Sequence, residues 1–165
     1  MGMYLDSKNA YALYKKETGK PYFIDKSRML KELIVLAGEG EDAVCITRPR
    51  RFGKTVAANM TAAFFSRAAD ASALFHDKNI AKEQEYVQYL NQYPVIHIPF
   101  NDVMRPCRNY EDYISRIEHQ LVQDLKTAWP DAVSNHEESA VAALLNIYAA
   151  DDTVFVFVLD EFRPV

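Results

Sequence analysis

Apolar side chains recur at helical spacing in four segments of the chain. Within each segment they fall three or four residues apart, so that they share one face of a helix. The longest stripe runs from Tyr110 to Leu125, and Pro130 ends its helix. The predicted helices cover residues 26–38, 54–69, 109–129 and a last segment that leads to Ala150.

Polar residues with capping chemistry precede two of these helices. Asp25 stands before the first helix and is its expected N-cap, while Gly38 and Gly40 close that helix. Ser134 and Glu137 have the spacing of a capping box, which predicts that the last helix begins there.

Three segments have the pattern of strands. Ala43–Thr47 (AVCIT) and a segment from Tyr93 to Asp102 are short apolar runs. The third, TVFVFVLDE, is rich in β-branched and aromatic residues and is apolar on both alternating faces. We therefore expect it to be a central strand of a parallel sheet that helices cover.

The order of these elements predicts the class of fold. Helices separate the strands throughout, which indicates an α/β layered domain with a mainly parallel sheet. A chain of 165 residues is long enough to bury a core, and we expect residues 1–165 to belong to one domain, with no second domain.

Composition and charge argue against several classes of function. The formal net charge of −4 gives no overall attraction to nucleic acid or to anionic membranes. The longest apolar run, Val154–Leu159, is far shorter than a membrane-spanning helix, and the N-terminal segment lacks the pattern of a signal peptide. The cysteines and histidines do not have metal-ligand spacing. We expect a cytoplasmic protein.

The segment TRPRRFGKT ends like a phosphate-binding loop between a strand and a helix. Backbone N–H groups at a helix N-terminus favour an anion, and Gly53 lets a phosphate approach without a side chain in the way. Lys54 is expected to reach the terminal phosphates and Thr55 to bind magnesium. Arg48 replaces the usual first glycine, and Pro49 stiffens the loop that follows.

Two further arginines add positive charge to this loop. The sequence leaves open whether Arg50 and Arg51 contact phosphate, pair with acidic neighbours or form a solvated basic loop. The expected nucleotide-binding residues are Arg50, Arg51, Phe52, Gly53, Lys54, Thr55 and Val56.

The third predicted strand ends with the carboxylates that a triphosphatase needs. We expect Asp160 to hold magnesium through water and Glu161 to orient or deprotonate the attacking water. Both follow an apolar strand, and open α/β sheets bind their ligands at the carboxyl ends of such strands.

Five segments in this order resemble the AAA-ATPase-like family of bacterial and archaeal proteins: PYFIDKSRMLKELI, CITRPRRFGKT, ALFHDKNIAKE, YPVIHIPFND and VFVLDEF. The similarity spans Tyr22 to the end of the chain, and the loop form R-P-R-R-F-G-K-[ST] is the family's own. The resemblance implies a P-loop NTPase-type fold with ATP and Mg²⁺ as cofactors. It also implies that Arg48 is a normal variant of the loop.

The same resemblance assigns roles to single residues. It implies a phosphate contact for Lys54, magnesium ligands at Thr55 and Asp160, and a catalytic base at Glu161. A restriction-endonuclease-like domain often follows the ATPase in this family, so nucleic acid enters as a partner by family analogy alone. The sequence Asp25-Lys26-Ser27 matches a recurring D-K-[ST] element whose role the sequence does not assign.

The segment after Glu161 departs from the family pattern. The family usually continues with an aromatic residue, an Asp, a basic residue and Pro, whereas residues 162–165 read FRPV. A later strand that separates the loop strand from the acidic strand in such ATPases does not follow either. We therefore expect an ATPase core truncated after the acidic strand, which binds nucleotide weakly, hydrolyses it poorly alone and needs a missing C-terminal region or a homo-oligomer.

Two other functions agree with the same residues. A non-hydrolysing module for nucleotide sensing or protein interaction would keep the loop and use the helix at residues 110–129 as a partner surface. A small-molecule kinase would use the same loop, but we see no segment that suggests an acceptor site. Lys54→Ala removes binding in a pure sensor, whereas Glu161→Gln changes nothing in it.

Overall fold

The computed structural model describes residues 2–41, 43–47, 49, 51–100 and 107–161. Within these residues a short 3-10 turn, Asn79–Lys82, lies between the fourth and fifth helices. The helices and strands are α1 (Lys8–Thr18), α2 (Arg28–Gly38), α3 (Lys54–Phe65), α4 (Ser72–Phe75), α5 (Glu85–Tyr89), β1 (Val95–Pro99), α6 (Tyr110–Ala128), α7 (Ala140–Asp151) and β2 (Val156–Asp160).

The chain divides into two compact units. The helical unit, Lys8–Tyr93, contains α1 to α5, and the strand unit combines Met1–Ser7 with Pro94–Val165. The prediction of one domain over residues 1–165 stays a prediction. Among the described residues, no helix combines the length and the apolar character that a membrane span requires.

In the strand unit, β1 and β2 form a parallel sheet of two strands. Val95 lies opposite Val156, and Pro99 lies opposite Asp160. Parallel strands need a long crossover, and α6 and α7 supply it between β1 and β2. The predicted mixture of helices with parallel strands is therefore confirmed at this coarse level.

The N-terminal residues complete this unit. Leu5 forms an antiparallel bridge with Ile96 of β1. The buried carboxylate of Asp124 in α6 accepts the backbone N–H of Tyr4 at 2.7 Å and that of Leu5 at 3.2 Å. One side-chain oxygen that accepts two buried N–H groups thus joins the N-terminal segment to α6.

The predictions that concern single strands have mixed outcomes. The segment from Tyr93 to Asp102 does contain a strand, β1, although Asn101 and Asp102 lie outside the described residues. On β2, Phe157 and Leu159 are 52% and 50% exposed, so among the described residues this strand is not covered on both faces, contrary to the prediction. Both faces of an apolar strand are buried only where a layer of the protein packs on each of them.

The prediction of a strand at Ala43–Thr47 is wrong. These residues have no regular secondary structure, and the side chains of Val44 and Ile46 are 43% and 37% exposed. A strand needs a neighbour for its backbone hydrogen bonds, and none of the described residues pairs with this segment.

Both predicted helix caps lie too early in the chain. Helix α2 begins at Arg28 after Ser27, because the Asp25 carboxylate accepts the Ser27 N–H at 2.8 Å and forms a turn instead. Helix α7 begins after Ser139, whose hydroxyl oxygen accepts the Ala142 N–H at 3.4 Å. The capping box predicted at Ser134 and Glu137 is therefore wrong.

Aromatic packing forms the core of the helical unit. Tyr14 of α1 stacks on Phe75 with their ring centroids 5.2 Å apart, and Phe64 of α3 meets Phe75 edge to face at 5.3 Å. All three side chains are fully buried. Helix α3 ends at Phe65 rather than at residue 69, because Ser66 is extended and forms a parallel bridge with Tyr93.

Candidate functional site

The junction between the basic loop and α3 has the backbone geometry of a tight turn into a helix. Gly53 is the N-cap of α3 and has φ 78° and ψ 32°, the left-handed conformation. This conformation costs an L-residue roughly 1–2 kcal/mol, and glycine adopts it without that cost. A Cβ at this position would meet only ordinary van der Waals contacts, so the backbone conformation is what requires glycine.

Helix α3 begins at Lys54 and presents its first backbone N–H groups at this junction. Ala57 is the first residue of the helix whose backbone N–H donates within the turn, to the Gly53 carbonyl oxygen at 2.9 Å. The N–H groups before it have no partner within the helix. Together with the helix dipole they favour an anion, and the side chains of Lys54 and Thr55 are exposed beside them.

The rest of the predicted loop is only partly described. Arg48 and Arg50 lie outside the described residues. Arg51 is exposed with φ 68°, and it makes no ion pair with any residue that the structure describes. Phe52 is 60% exposed, and Val56 is half-buried. Arg51 therefore does not pair with a described acidic neighbour, and its contact with phosphate stays a prediction.

The Asp25-Lys26-Ser27 element lies beside this junction. The two oxygens of the Asp25 carboxylate accept the N–H of Ser27 at 2.8 Å and the N–H of Asn79 at 2.7 Å. The Ser27 hydroxyl oxygen accepts the N–H of Ile80 at 3.0 Å. The hydrogen bonds from Asn79 and Ile80 connect the segment before α2 to the 3-10 turn.

Hydrogen bonds also determine the charge of Asp25. Burial by itself raises the pKa of this carboxyl. The hydrogen bonds from Asn79 and Ser27, with the charge of Lys78, outweigh burial and hold the pKa below its usual value. The carboxylate is therefore ionised at neutral pH.

The second group of expected site residues ends β2. Asp160 is the last residue of the strand and is 5% exposed, and one of its carboxylate oxygens, Oδ2, is buried without a hydrogen-bond partner among the described residues. Glu161 follows with φ 60° and is exposed. A buried carboxylate oxygen without a protein donor suits a hard cation or a water bound to one.

His97 shares a face of the sheet with Asp160. It lies opposite Val158, two residues before Asp160 on β2, and only 8% of it is exposed. Burial lowers the pKa of His97, while the nearby charge of Asp160 raises it by a smaller amount, so the net direction is down. The imidazole is therefore neutral at pH 7.

The structure thus gathers the expected residues into two groups. Residues 51–56 form one loop–helix junction in the helical unit, and Asp160 with Glu161 ends β2 in the strand unit. That both groups serve one nucleotide remains a prediction. Among the described residues, no cluster of three or more His, Cys, Asp or Glu could hold a metal. Magnesium in nucleotide sites needs no such cluster, because it binds one or two carboxylates together with phosphates and water.

Two residues beside these groups, Lys26 and His97, have no role that the sequence assigns. Lys26 lies at the Phe52 carbonyl, and His97 lies on the same face of the sheet as Asp160. The available signals were the tripeptide Asp25-Lys26-Ser27 itself and an imidazole inside an otherwise apolar strand, VIHIP.

Comparison with known proteins bears on these two groups. Searches of curated proteins and of solved structures each found no match. The sequence model of the AAA-ATPase-like family, described as a predicted AAA-ATPase, matches residues 13–164, a range that contains the loop, Asp160 and Glu161. The residues that first suggested this family are therefore part of a match over nearly the whole chain, and the chain belongs to the AAA-ATPase-like family.

Proposed function

We propose that this protein binds ATP with Mg²⁺ at the start of α3 and hydrolyses it with Asp160 and Glu161. The observation that carries the proposal is the junction at Gly53. A left-handed glycine there leads directly into a helix of 12 residues, whose first two residues are an exposed lysine and an exposed threonine. Membership in a family of predicted ATPases supports a nucleotide as the anion.

Each group has its own task in this proposal. The N–H groups at the start of α3 surround the phosphates, Lys54 donates to the terminal phosphates and the Thr55 hydroxyl binds magnesium. Asp160 would hold magnesium through water, for which its unpartnered Oδ2 atom is suited. Glu161 would accept a proton from the water that attacks the terminal phosphate, as the bond from that phosphorus to the bridging oxygen breaks and ADP leaves.

Titration of ATP into the protein with and without Mg²⁺ tests the binding step. Lys54→Ala removes a charge-assisted hydrogen bond of about 1.5–3 kcal/mol, so the Kd for ATP should rise about 10- to 150-fold. Lys16→Ala is the matched control, because Lys16 is an exposed lysine of the same unit on α1. Equal Kd values for wild type and Lys54→Ala would refute the assignment of the loop.

Glu161→Gln separates hydrolysis from sensing. In an ATPase this change leaves ATP binding within about twofold and lowers phosphate release by about 10²- to 10⁴-fold, the usual contribution of a general base. Phosphate release that the change leaves unaltered would refute the role of Glu161 and favour a non-hydrolysing nucleotide sensor.

A further inference from the structure

We propose that Lys26 is a second phosphate-binding lysine of the nucleotide site, opposite the start of α3. The inference rests on the proposed function, since it assigns a further contact to the same bound ATP. Three observations carry it: the position of the Lys26 ammonium, the way in which its backbone is held and the charges that surround it.

The Lys26 ammonium lies directly at the phosphate loop. Its Nζ atom donates to the carbonyl oxygen of Phe52 at 3.4 Å. It is also 3.6 Å from the position that a Cβ on Gly53 would occupy, next to the first residue of α3. A lysine that is 26 residues away in sequence thus reaches the turn where the helix begins.

The residues on either side hold Lys26 in place. Asp25 and Ser27 together accept backbone N–H groups from Asn79 and Ile80, and Ser27 is completely buried. Because both neighbours face the 3-10 turn, the backbone of Lys26 is fixed while its side chain extends to the loop. Ordering this segment before ATP binds lowers the entropic cost of the contact.

The charges around Lys26 favour the binding of an anion. An ammonium group at a helix N-terminus is repelled by the positive end of the helix dipole, and Lys54 and Arg51 add further positive charge there. The structure gives Lys26 one long hydrogen bond to a carbonyl, and no described carboxylate lies within 4.0 Å of its Nζ atom. The remaining donors of the ammonium are available to the phosphate chain of a nucleoside triphosphate.

Substitutions at Lys26 distinguish a lysine that binds phosphate from one that only stabilises the loop through its hydrogen bond to Phe52. Lys26→Gln keeps an N–H donor for the Phe52 carbonyl but removes the charge, whereas Lys26→Arg keeps the charge. We expect the Kd for Mg-ATP to rise about tenfold in Lys26→Gln, equivalent to about 1.4 kcal/mol, and to stay within about threefold in Lys26→Arg. Lys16→Gln is the control for an exposed lysine elsewhere in the unit.

Two further probes locate the contact on the ligand. Inorganic tripolyphosphate, used as a competitor of ATP, should also bind Lys26→Gln about tenfold more weakly. Binding to Lys26→Gln should in addition depend less steeply on KCl concentration than binding to wild type, because one ion contact is gone. Unchanged urea midpoints of the variants show that the fold is intact.

The outcomes separate this proposal from the one on which it rests. If Lys54→Ala weakens ATP binding and Lys26→Gln does not, the nucleotide site stands and Lys26 is not part of it. If Lys26→Gln and Lys26→Arg weaken binding equally, the charge is not what matters, and the proposal is overturned. If wild type binds neither ATP nor tripolyphosphate, both proposals fail.

Discussion

Replacing Asp25 tests the connection that holds Lys26 near the loop. In Asp25→Ala, the N–H groups of Ser27 and Asn79 lose an ionised acceptor at 2.8 Å and 2.7 Å. Hydrogen bonds to charged groups contribute about 1.5–3 kcal/mol each, and we take the lower part of that range, about 1.5–2 kcal/mol, because Asp25 is only partly buried. With two bonds lost, the free energy of unfolding should fall by about 3–4 kcal/mol.

The assay needs a local readout besides a global one. Urea unfolding followed by far-UV circular dichroism gives the loss of stability, and amide hydrogen exchange at Asn79 shows whether its N–H has lost protection. Asp25→Asn keeps one acceptor oxygen and should lose about half as much. Asp70→Ala is the matched control, because Asp70 is exposed and accepts the Ser72 N–H of its own turn at 2.9 Å, without a bond of this kind to a distant segment in the part of the chain that the structure describes.

The dependence of the free energy of unfolding on pH in the acidic range gives an independent check. The folded pKa of Asp25 is held below its ordinary value of 3.8, so the carboxylate contributes stability above that value. This contribution is lost as pH falls through the folded pKa. Asp25→Asn should therefore lose less stability than wild type below about pH 4. If Asp25→Ala changes neither the urea midpoint nor exchange at Asn79, the connection through Asp25 is refuted.

Two predictions concern the strand unit. Asp124→Ala leaves the buried N–H groups of Tyr4 and Leu5 without their acceptor. At about 1–3 kcal/mol per group, the free energy of unfolding measured in urea should fall by about 2–6 kcal/mol, and a loss no larger than that of an alanine substitution at an exposed residue of α6 would contradict this. Burial lowers the pKa of His97, so the unfolded chain takes up the proton first as pH falls. The free energy of unfolding, measured without nucleotide and without Mg²⁺, should therefore decrease below about pH 6.5. His97→Leu should remove that slope, and an unchanged slope would contradict the assignment.

Local patterns predict those elements whose cause lies mostly within one segment. The long stripe of α6 was visible because a 3.6-residue period is a local property, and β2 was visible as a short run rich in β-branched and aromatic residues. Gly53 before the helical pattern of α3 likewise predicted where that helix begins. For these elements a local stretch of sequence is enough to predict the element, although β2 also needs β1 as its partner.

Elements that depend on distant partners were predicted less well. The apolar run Ala43–Thr47 has the composition of a strand but no described neighbour to pair with, and the second apolar face of β2 has no described layer on it. An apolar pattern indicates that a segment can be buried, whereas burial itself requires a second surface that packs on the segment. The early cap predicted at Asp25 has a similar cause, since one of its carboxylate oxygens accepts the N–H of Asn79, 54 residues away.

Two of the five described non-glycine residues with positive φ lie in the groups that the motifs select. Arg51 in the loop and Glu161 after β2 both have positive φ, 68° and 60°, which is unfavourable for residues with long side chains. Such conformations cost about 1–3 kcal/mol each and persist only where the surrounding structure determines them. Positive φ at Arg51 and at Glu161 agrees with a function for each of these two groups, and the nucleotide titrations test that function directly.

Lys26 shows what a motif search along the chain cannot find. The loop motif is a contiguous set of residues, so its spacing can identify only donors between Arg48 and Val56. Lys26, 26 residues before Phe52, enters the site only if the segment before α2 is turned toward Phe52. That turn depends on two hydrogen bonds that the backbone N–H groups of Asn79 and Ile80 donate to the side chains of Asp25 and Ser27. If charge at Lys26 controls ATP affinity, the D-K-S element acts in nucleotide binding through its lysine, while its aspartate and serine supply the fold that positions it.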